Sequence, residues 1–115
     1  MAGITTHILD NGRSKPAADV RIDLSRLEDG AWTLLKTVRT NADGRTDAPL
    51  VSPEDARAGT YEIVFHVDEY FDKQPDGEER FIDRPVVRFT VFDAEQHYHV
   101  PMLCTPGSCS TYRGS

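Results

Sequence analysis

At 115 residues, with 38% hydrophobic and 28% charged side chains, the chain is long enough for one globular domain with its own core and too short for two. A net charge of −6 without any basic run excludes a nucleic-acid surface, which needs clustered cations to neutralise phosphates. No apolar stretch approaches bilayer length, and the opening "MAGITTHILD" lacks the cationic start and apolar run of a secretory leader, so no membrane partner and a cytoplasmic location are expected.

Period-two alternation dominates and turn residues interrupt it at short intervals, the pattern of an all-β chain. "GITTHILD" predicts a first strand with Ile4, Thr6 and Ile8 on one face and Thr5, His7 and Leu9 on the other. "NGRSKP" follows as a turn-rich loop. "DVRIDLSRL" predicts a strand burying Val20, Ile22 and Leu24, and Asp29-Gly30 suits a hairpin into the next strand, "AWTLLKTVRT". The turn-rich "NADGRTDAPL" is expected to hold one short strand near Arg45. "GTYEIVFHV" predicts a strand that buries Tyr61, Ile63, Phe65 and Val67 and leaves Glu62, Val64 and His66 opposite. Asp68 is then expected to cap a short helix anchored by Tyr70 and Phe71. Residues 75–84, rich in charge, Pro and Gly, read as a surface loop; "PVVRFTVFDA" and "YHVPMLC" add two strands. "TPGS" turns the chain into a last short strand ending at Ser115. Seven or eight short strands and one short helix fold most economically as a two-sheet β-sandwich.

Residues two apart on a strand share a face, so His97 and His99 of "HYHVP" point together while Tyr98 points away. His7 stands in the first strand, Arg45 follows a tight turn, and the chain closes on an aromatic, a guanidinium, a glycine and a hydroxyl in "YRGS". His66 reads as a solvated or locally hydrogen-bonded histidine. An H-x-H pair can present imidazoles to zinc, but no carboxylate or cysteine stands at matching spacing, so no metal site and no cofactor are expected. The face of His7 also carries Leu9, and the face of His97 and His99 also carries Pro101 and Leu103. A solvated sheet face should read polar, so this mixture points to burial against another subunit.

"ITTHILD", "DGRT", "HYHVP" and the terminal "YRGS", in that order, resemble the transthyretin-related 5-hydroxyisourate hydrolases of purine catabolism. "GTYEIVF" followed by "YFDKQ", and "RFTV" before the histidine motif, carry the likeness nearly end to end. The resemblance implies a prealbumin-like (transthyretin-like) sandwich of two four-stranded sheets with one short helix, as a single domain over residues 1–115. It also implies a homotetramer, a dimer of dimers with sites in the channel between dimers. The activity implied is hydrolysis of 5-hydroxyisourate to 2-oxo-4-hydroxy-4-carboxy-5-ureidoimidazoline. His7, Arg45 and His99 are the implied catalytic residues, with Tyr112, Arg113, Gly114 and Ser115 lining the substrate pocket and His97 beside them. A neutral imidazole suits a general base near pH 7. Arg45 would hold the imidazoles neutral by repulsion and offer donors to a developing oxyanion. Which histidine is the base stays open at this point. A non-catalytic ligand carrier is the alternative, but transthyretin itself, a hormone carrier on the same fold, has other residues at the two histidines, "G-E" in place of "G-R", and no "YRGS" ending, whereas all four hydrolase elements stand here, so the carrier reading loses. The chain departs from the family pattern at Cys109, where an aromatic is usual. Cys104 and Cys109 flank the "TPGS" turn, where a disulfide is geometrically possible and a reducing cytoplasm disfavours it.

Overall fold

The computed structural model describes residues 2–75 and 79–114. Eight strands make two four-stranded sheets. Strands β1 (Gly3–Asp10), β2 (Lys15–Pro16), β7 (His97–Thr105) and β8 (Ser108–Thr111) form one sheet in the order β2-β1-β7-β8. The other, in the order β4-β3-β5-β6, holds β3 (Arg21–Glu28), β4 (Ala31–Arg39), β5 (Gly59–Phe65) and β6 (Val86–Val91). The helix α1 (Val67–Asp72) follows β5 directly.

The alternation explains the layers. Ile4 and Ile8 of β1 and Tyr98, Val100 and Met102 of β7 are all 6% exposed or less, as are Ile22, Leu24, Ile63 and Phe65 of the opposite sheet. They belong to one hydrophobic cluster. Each such side chain is worth about 1.5–3 kcal/mol relative to its exposed state, enough to hold the strand registers against slippage. Between β3 and β4, Asp29 (φ 50°) and Gly30 (φ 80°) both take left-handed backbone, the geometry of a two-residue type I′ hairpin.

The pairing that matters for function is β1 with β7. They run parallel, joining strands almost ninety residues apart, with Thr5 opposite His99, His7 opposite Pro101 and Leu9 opposite Leu103. That register lays Thr5, His7, His97 and His99 side by side on the outer face.

Five local expectations are corrected. Among the described residues no strand forms near Arg45, which makes a single antiparallel bridge to His7. A turn in which the Thr46 hydroxyl donates to the Ala48 carbonyl (2.5 Å) then ends the extended run. Asp68 does not cap the helix, whose N-cap is His66 without a side-chain cap bond; Asp68 sits in the first turn and accepts from Arg84 Nε (3.1 Å) and Nη2 (2.8 Å) instead. Val67 keeps its burial but opens the helix rather than extending β5. His66 is 4% exposed and its Nε2 lies 2.8 Å from Asp23 Oδ2 on the neighbouring strand. The last strand stops at Thr111, beyond which Gly114 rejoins β7 by one bridge to His99. Cys104 and Cys109, partners across the β7–β8 hairpin with Cα atoms 4.3 Å apart, are joined by a disulfide.

Candidate active site

Arg45 reaches its place through a turn built by Asn41 and Gly44. The Asn41 side-chain oxygen accepts from the backbone N–H of Asp43 (2.9 Å) and Arg45 (3.2 Å), closing an Asx-type turn. Gly44 has φ +73°, and a Cβ on it would lie 2.5 Å from the Ile8 carbonyl oxygen. With glycine there, the loop presses onto β1, where the Ile8 N–H donates to the Gly44 carbonyl (2.8 Å). Arg45 thereby lands beside His7. Its exposed guanidinium has no hydrogen bond or ion pair among the described residues, leaving its donors free for a ligand.

The histidines interlock. His7 Nδ1 lies 2.7 Å from His99 Nε2, with the rings stacked at 4.9 Å between centroids. His99 Nδ1 lies 2.8 Å from Thr5 Oγ1, and that hydroxyl is 3.0 Å from His97 Nε2. Both ring nitrogens of His99 are therefore engaged. His7 Nε2 carries no hydrogen bond among the described residues. Burial first, then the charges of His7, Arg45 and His97, push His99 down to about 4. His7 is lowered by burial and then by the Arg45 cation. Both imidazoles, lowered below 6.5, are therefore neutral at pH 7, as acid–base work at that pH requires.

A cleft of about 250 Å³ opens beside them, lined by Thr5, Thr6, Arg45, Thr46, Asp47 and Pro49. A larger cavity of about 350 Å³ lies elsewhere, around Arg26, Leu35 and Tyr61. No histidine lines either space; the smaller one is tied to the imidazoles through Thr5, which contacts His97 and His99, and through Arg45, which bridges to His7. Among the described residues no group of three or more His, Cys, Asp or Glu side chains is placed to hold a metal ion.

The tail divides. Gly114 N–H donates to the His99 carbonyl (2.7 Å), and a Cβ on Gly114 would lie 2.8 Å from His99 Cδ2. Gly114 thus belongs to the histidine cluster as a backbone that must pass close to the ring. Gly114→Ala is expected to displace His99 and lower kcat by up to about 10²-fold, because small misplacements of a reacting constellation cost that much. Steady-state kinetics beside an unchanged thermal melt checks it; full activity would show that the close approach is not needed. Arg113 turns elsewhere: its Nη2 donates to Gln96 Oε1 (3.0 Å) and the His97 carbonyl (2.9 Å), and its guanidinium lies 4.3 Å over the Tyr98 ring. Tyr112, 61% exposed, lines an apolar groove with Phe89, Phe92 and Arg113. Within one chain, neither side chain joins the His7–His99 pair. Ser115 lies outside the described residues. Sequence reasoning missed Thr5 as a site residue; its place on the face of His7 was the available signal, while its histidine partners depended on the β1–β7 register.

Fold and site together define a class: a transthyretin-like sandwich with an imidazole cluster and an arginine on one outer sheet face. The chain belongs to the HIUase/Transthyretin family, whose model matches residues 4–114. It is 49% identical over 114 residues to the 5-hydroxyisourate hydrolase of Deinococcus radiodurans, covering 98% of this chain and 96% of that protein. The solved structure of Klebsiella pneumoniae 5-hydroxyisourate hydrolase superposes with a TM-score of 0.80 at 36% identity, over 97% of this chain and 98% of the other. Transthyretin from Sparus aurata superposes with a TM-score of 0.88 but only 27% identity, over 99% and 97%. The backbone is thus shared with a transthyretin and a hydrolase alike, and only side chains can distinguish them.

Proposed function

We propose that this protein hydrolyses 5-hydroxyisourate, by attack of water on a ring amide carbonyl, with His7 as general base. One observation carries the assignment of the base. His99 spends both ring nitrogens on His7 and Thr5, whereas His7 keeps Nε2 free. His99 is then the orienting partner, holding His7 in one tautomer as the third member of a catalytic triad does.

The reaction needs an activated water, a stabiliser for negative charge on the carbonyl oxygen and a proton for the departing nitrogen. His7 Nε2 takes the proton from water and later returns it to the leaving nitrogen. The unpaired Arg45 guanidinium faces the developing oxyanion, a role suited to a preorganised cation. The cleft beside Thr5 and Arg45 has room for one small planar ring system. Gly114 and Ser115 complete the substrate pocket in this proposal. Tyr112, Arg113 and His97 would contribute through the assembled oligomer or indirectly.

The proposal extends to a single domain over residues 1–115, a homotetramer of paired dimers with the sites in the channel between dimers, and cytoplasmic residence. Support for assembly comes from the outer face itself, where Leu9 and Leu103 flank the histidines and remain partly exposed in the single chain. Sedimentation equilibrium and cell fractionation check these points. Among the described residues, no helix is long and apolar enough to cross a membrane.

The test is an assay in which 5-hydroxyisourate is generated in place by urate oxidase and its ultraviolet absorbance is followed against spontaneous decay. Acceleration by the purified protein supports the hydrolase. No acceleration by a folded tetramer, together with saturable binding of aromatic ligands, would replace it with the carrier. A pH profile follows from the same chemistry. The base must be neutral, and the folded-state value of His7 lies below its ordinary 6.5. Activity is therefore expected to be level around pH 7 and to fall as pH drops through a value below 6.5, read as kcat/KM against pH.

A further inference from the structure

We propose that Thr5 and His97 extend the His7–His99 pair into a four-member proton relay, His7–His99–Thr5–His97, which carries the proton taken from water away from Arg45 and returns it to the leaving nitrogen. This inference rests on the hydrolase reading and adds to it two residues and a path.

The geometry is a continuous chain of short contacts: His7 Nδ1 to His99 Nε2 at 2.7 Å, His99 Nδ1 to Thr5 Oγ1 at 2.8 Å, and Thr5 Oγ1 to His97 Nε2 at 3.0 Å. With one N–H on each of the three rings, the hydroxyl can donate to one histidine while accepting from the other. The chain then has two head-to-tail arrangements. Only one leaves a lone pair on His7 Nε2. In it His7 Nδ1–H donates to His99 Nε2, His99 Nδ1–H donates to Thr5 Oγ1, and the Thr5 hydroxyl donates to His97 Nε2. The resting state that makes His7 a base is thus also the state in which every link points toward His97.

Proton transfer reverses each link. The water O–H breaks as His7 Nε2–H forms. His7 Nδ1–H then breaks as His99 Nε2–H forms, and His99 Nδ1–H breaks as Thr5 Oγ1–H forms. The original Thr5 O–H breaks as His97 Nε2–H forms. One proton has been taken up, and the positive charge stands on His97 instead of His7. The reverse sequence delivers a proton from His7 Nε2 to the departing nitrogen and restores the chain, so no co-reactant is consumed.

Two physical reasons favour the displacement of charge. An imidazolium on His7 would sit beside Arg45, to which His7 is bridged through the backbone. His97 instead pairs with Gly3, four residues along β1 from His7, so its ring stands at the far end of the contact chain from Arg45. His99 is a conduit rather than a store: burial and three neighbouring charges hold its value at about 4, so the proton arrives on one nitrogen as another leaves from the other. Arg113, a cation near the His97 end, is turned onto the backbone carbonyl of His97 and the ring of Tyr98, which faces the opposite side of the strand.

Thr5→Val keeps the shape and removes the hydroxyl. It is expected to lower kcat about tenfold, below the smallest usual contribution of a general base, with KM unchanged. Thr5→Ser, which restores the oxygen, is expected to recover most of that loss. The readout specific to a relay is the proton inventory: kcat measured across mixtures of light and heavy water should curve in the wild type, reporting several protons in flight, and become linear in Thr5→Val and His97→Phe. Linear dependence in the wild type, or curvature and rate unchanged in Thr5→Val, would overturn the relay while leaving the hydrolase assignment intact. Absence of turnover in the wild type would instead remove the hydrolase reading itself. A Thr5→Val protein with a lowered melting temperature is judged on Thr5→Ser and His97→Phe alone.

Discussion

His7→Ala is expected to reduce kcat by about 10²–10⁴-fold, the range that a positioned general base supplies, with little change in melting temperature. The fold has small stake in this side chain. His7 projects from the outer face of β1, is partly exposed, and among the described residues makes its single side-chain bond to His99, while the inward neighbours Thr6 and Ile8 are 2% and 1% exposed. Truncation to alanine leaves the β1–β7 ladder and the core untouched and removes the nitrogen of the His7–His99 pair that is free to accept a proton from water. It also leaves His99 Nε2 unpaired and nearer to solvent. Stopped-flow decay of 5-hydroxyisourate, compared with a differential scanning melt, reads both quantities. Recovery of rate on adding free imidazole would locate the lost function in proton transfer rather than in packing. Full activity in His7→Ala would shift the general base to another group, and the engagement of both His99 nitrogens would then need another explanation.

Arg45→Ala should cost about 10²–10³-fold in kcat, the usual effect of removing one donor from an oxyanion site. Two further consequences distinguish this change from a general loosening of the loop. The side chain has no hydrogen bond or ion pair among the described residues, whereas the loop conformation depends on the Asn41 side chain and on Gly44; the turn should therefore survive. The acid limb of the pH profile should also move. Arg45 is one of the causes that lower His7, second to burial. Without the cation the His7 value rises toward 6.5, so the base protonates at higher pH and activity falls away earlier on acidification. Arg45→Lys tests the geometry: it retains the charge and hence the position of the limb, but loses the planar pair of donors and regains only part of the rate. An unchanged limb in Arg45→Ala would separate the guanidinium from the histidine pair.

The two-sheet architecture was legible because it depends on local patterning. Alternation in "GITTHILD", "RIDLSRL" and "TYEIVF" states which side chains face inward, and the core contains them. Errors gathered where tertiary contacts override a local preference. Asp68 has the chemistry of a helix cap, but Arg84, sixteen residues away, offers a charge-assisted bidentate bond that a cap cannot match. His66 continues the alternation of its strand onto the outer side, yet it is buried there and Asp23 on the adjacent strand gives it a hydrogen-bond partner. The stretch around Arg45 has strand-like flanks, but a left-handed glycine and the Thr46 turn allow it only one bridge.

Within the site, the residue types and their faces come from the linear chain. His97 and His99 share a side because strands alternate, and Thr5 shares one with His7 for the same reason. The distances between these groups do not. His7 and His99 are ninety-two positions apart, and their 2.7 Å contact exists only because β1 and β7 pair in parallel in one register; a slip of one residue would turn either histidine inward. The division of labour has the same origin. His99 is the orienting partner because the fold supplies acceptors or donors to both its nitrogens, and His7 is the base because the fold leaves one of its nitrogens free. By itself, then, the sequence determined an all-β sandwich, the inward and outward faces of its strands and the chemical groups available at a site. The tertiary structure decided which of those groups touch, in what order and with what protonation, because pairing between distant strands is set by the burial of whole faces and not by any short stretch of residues.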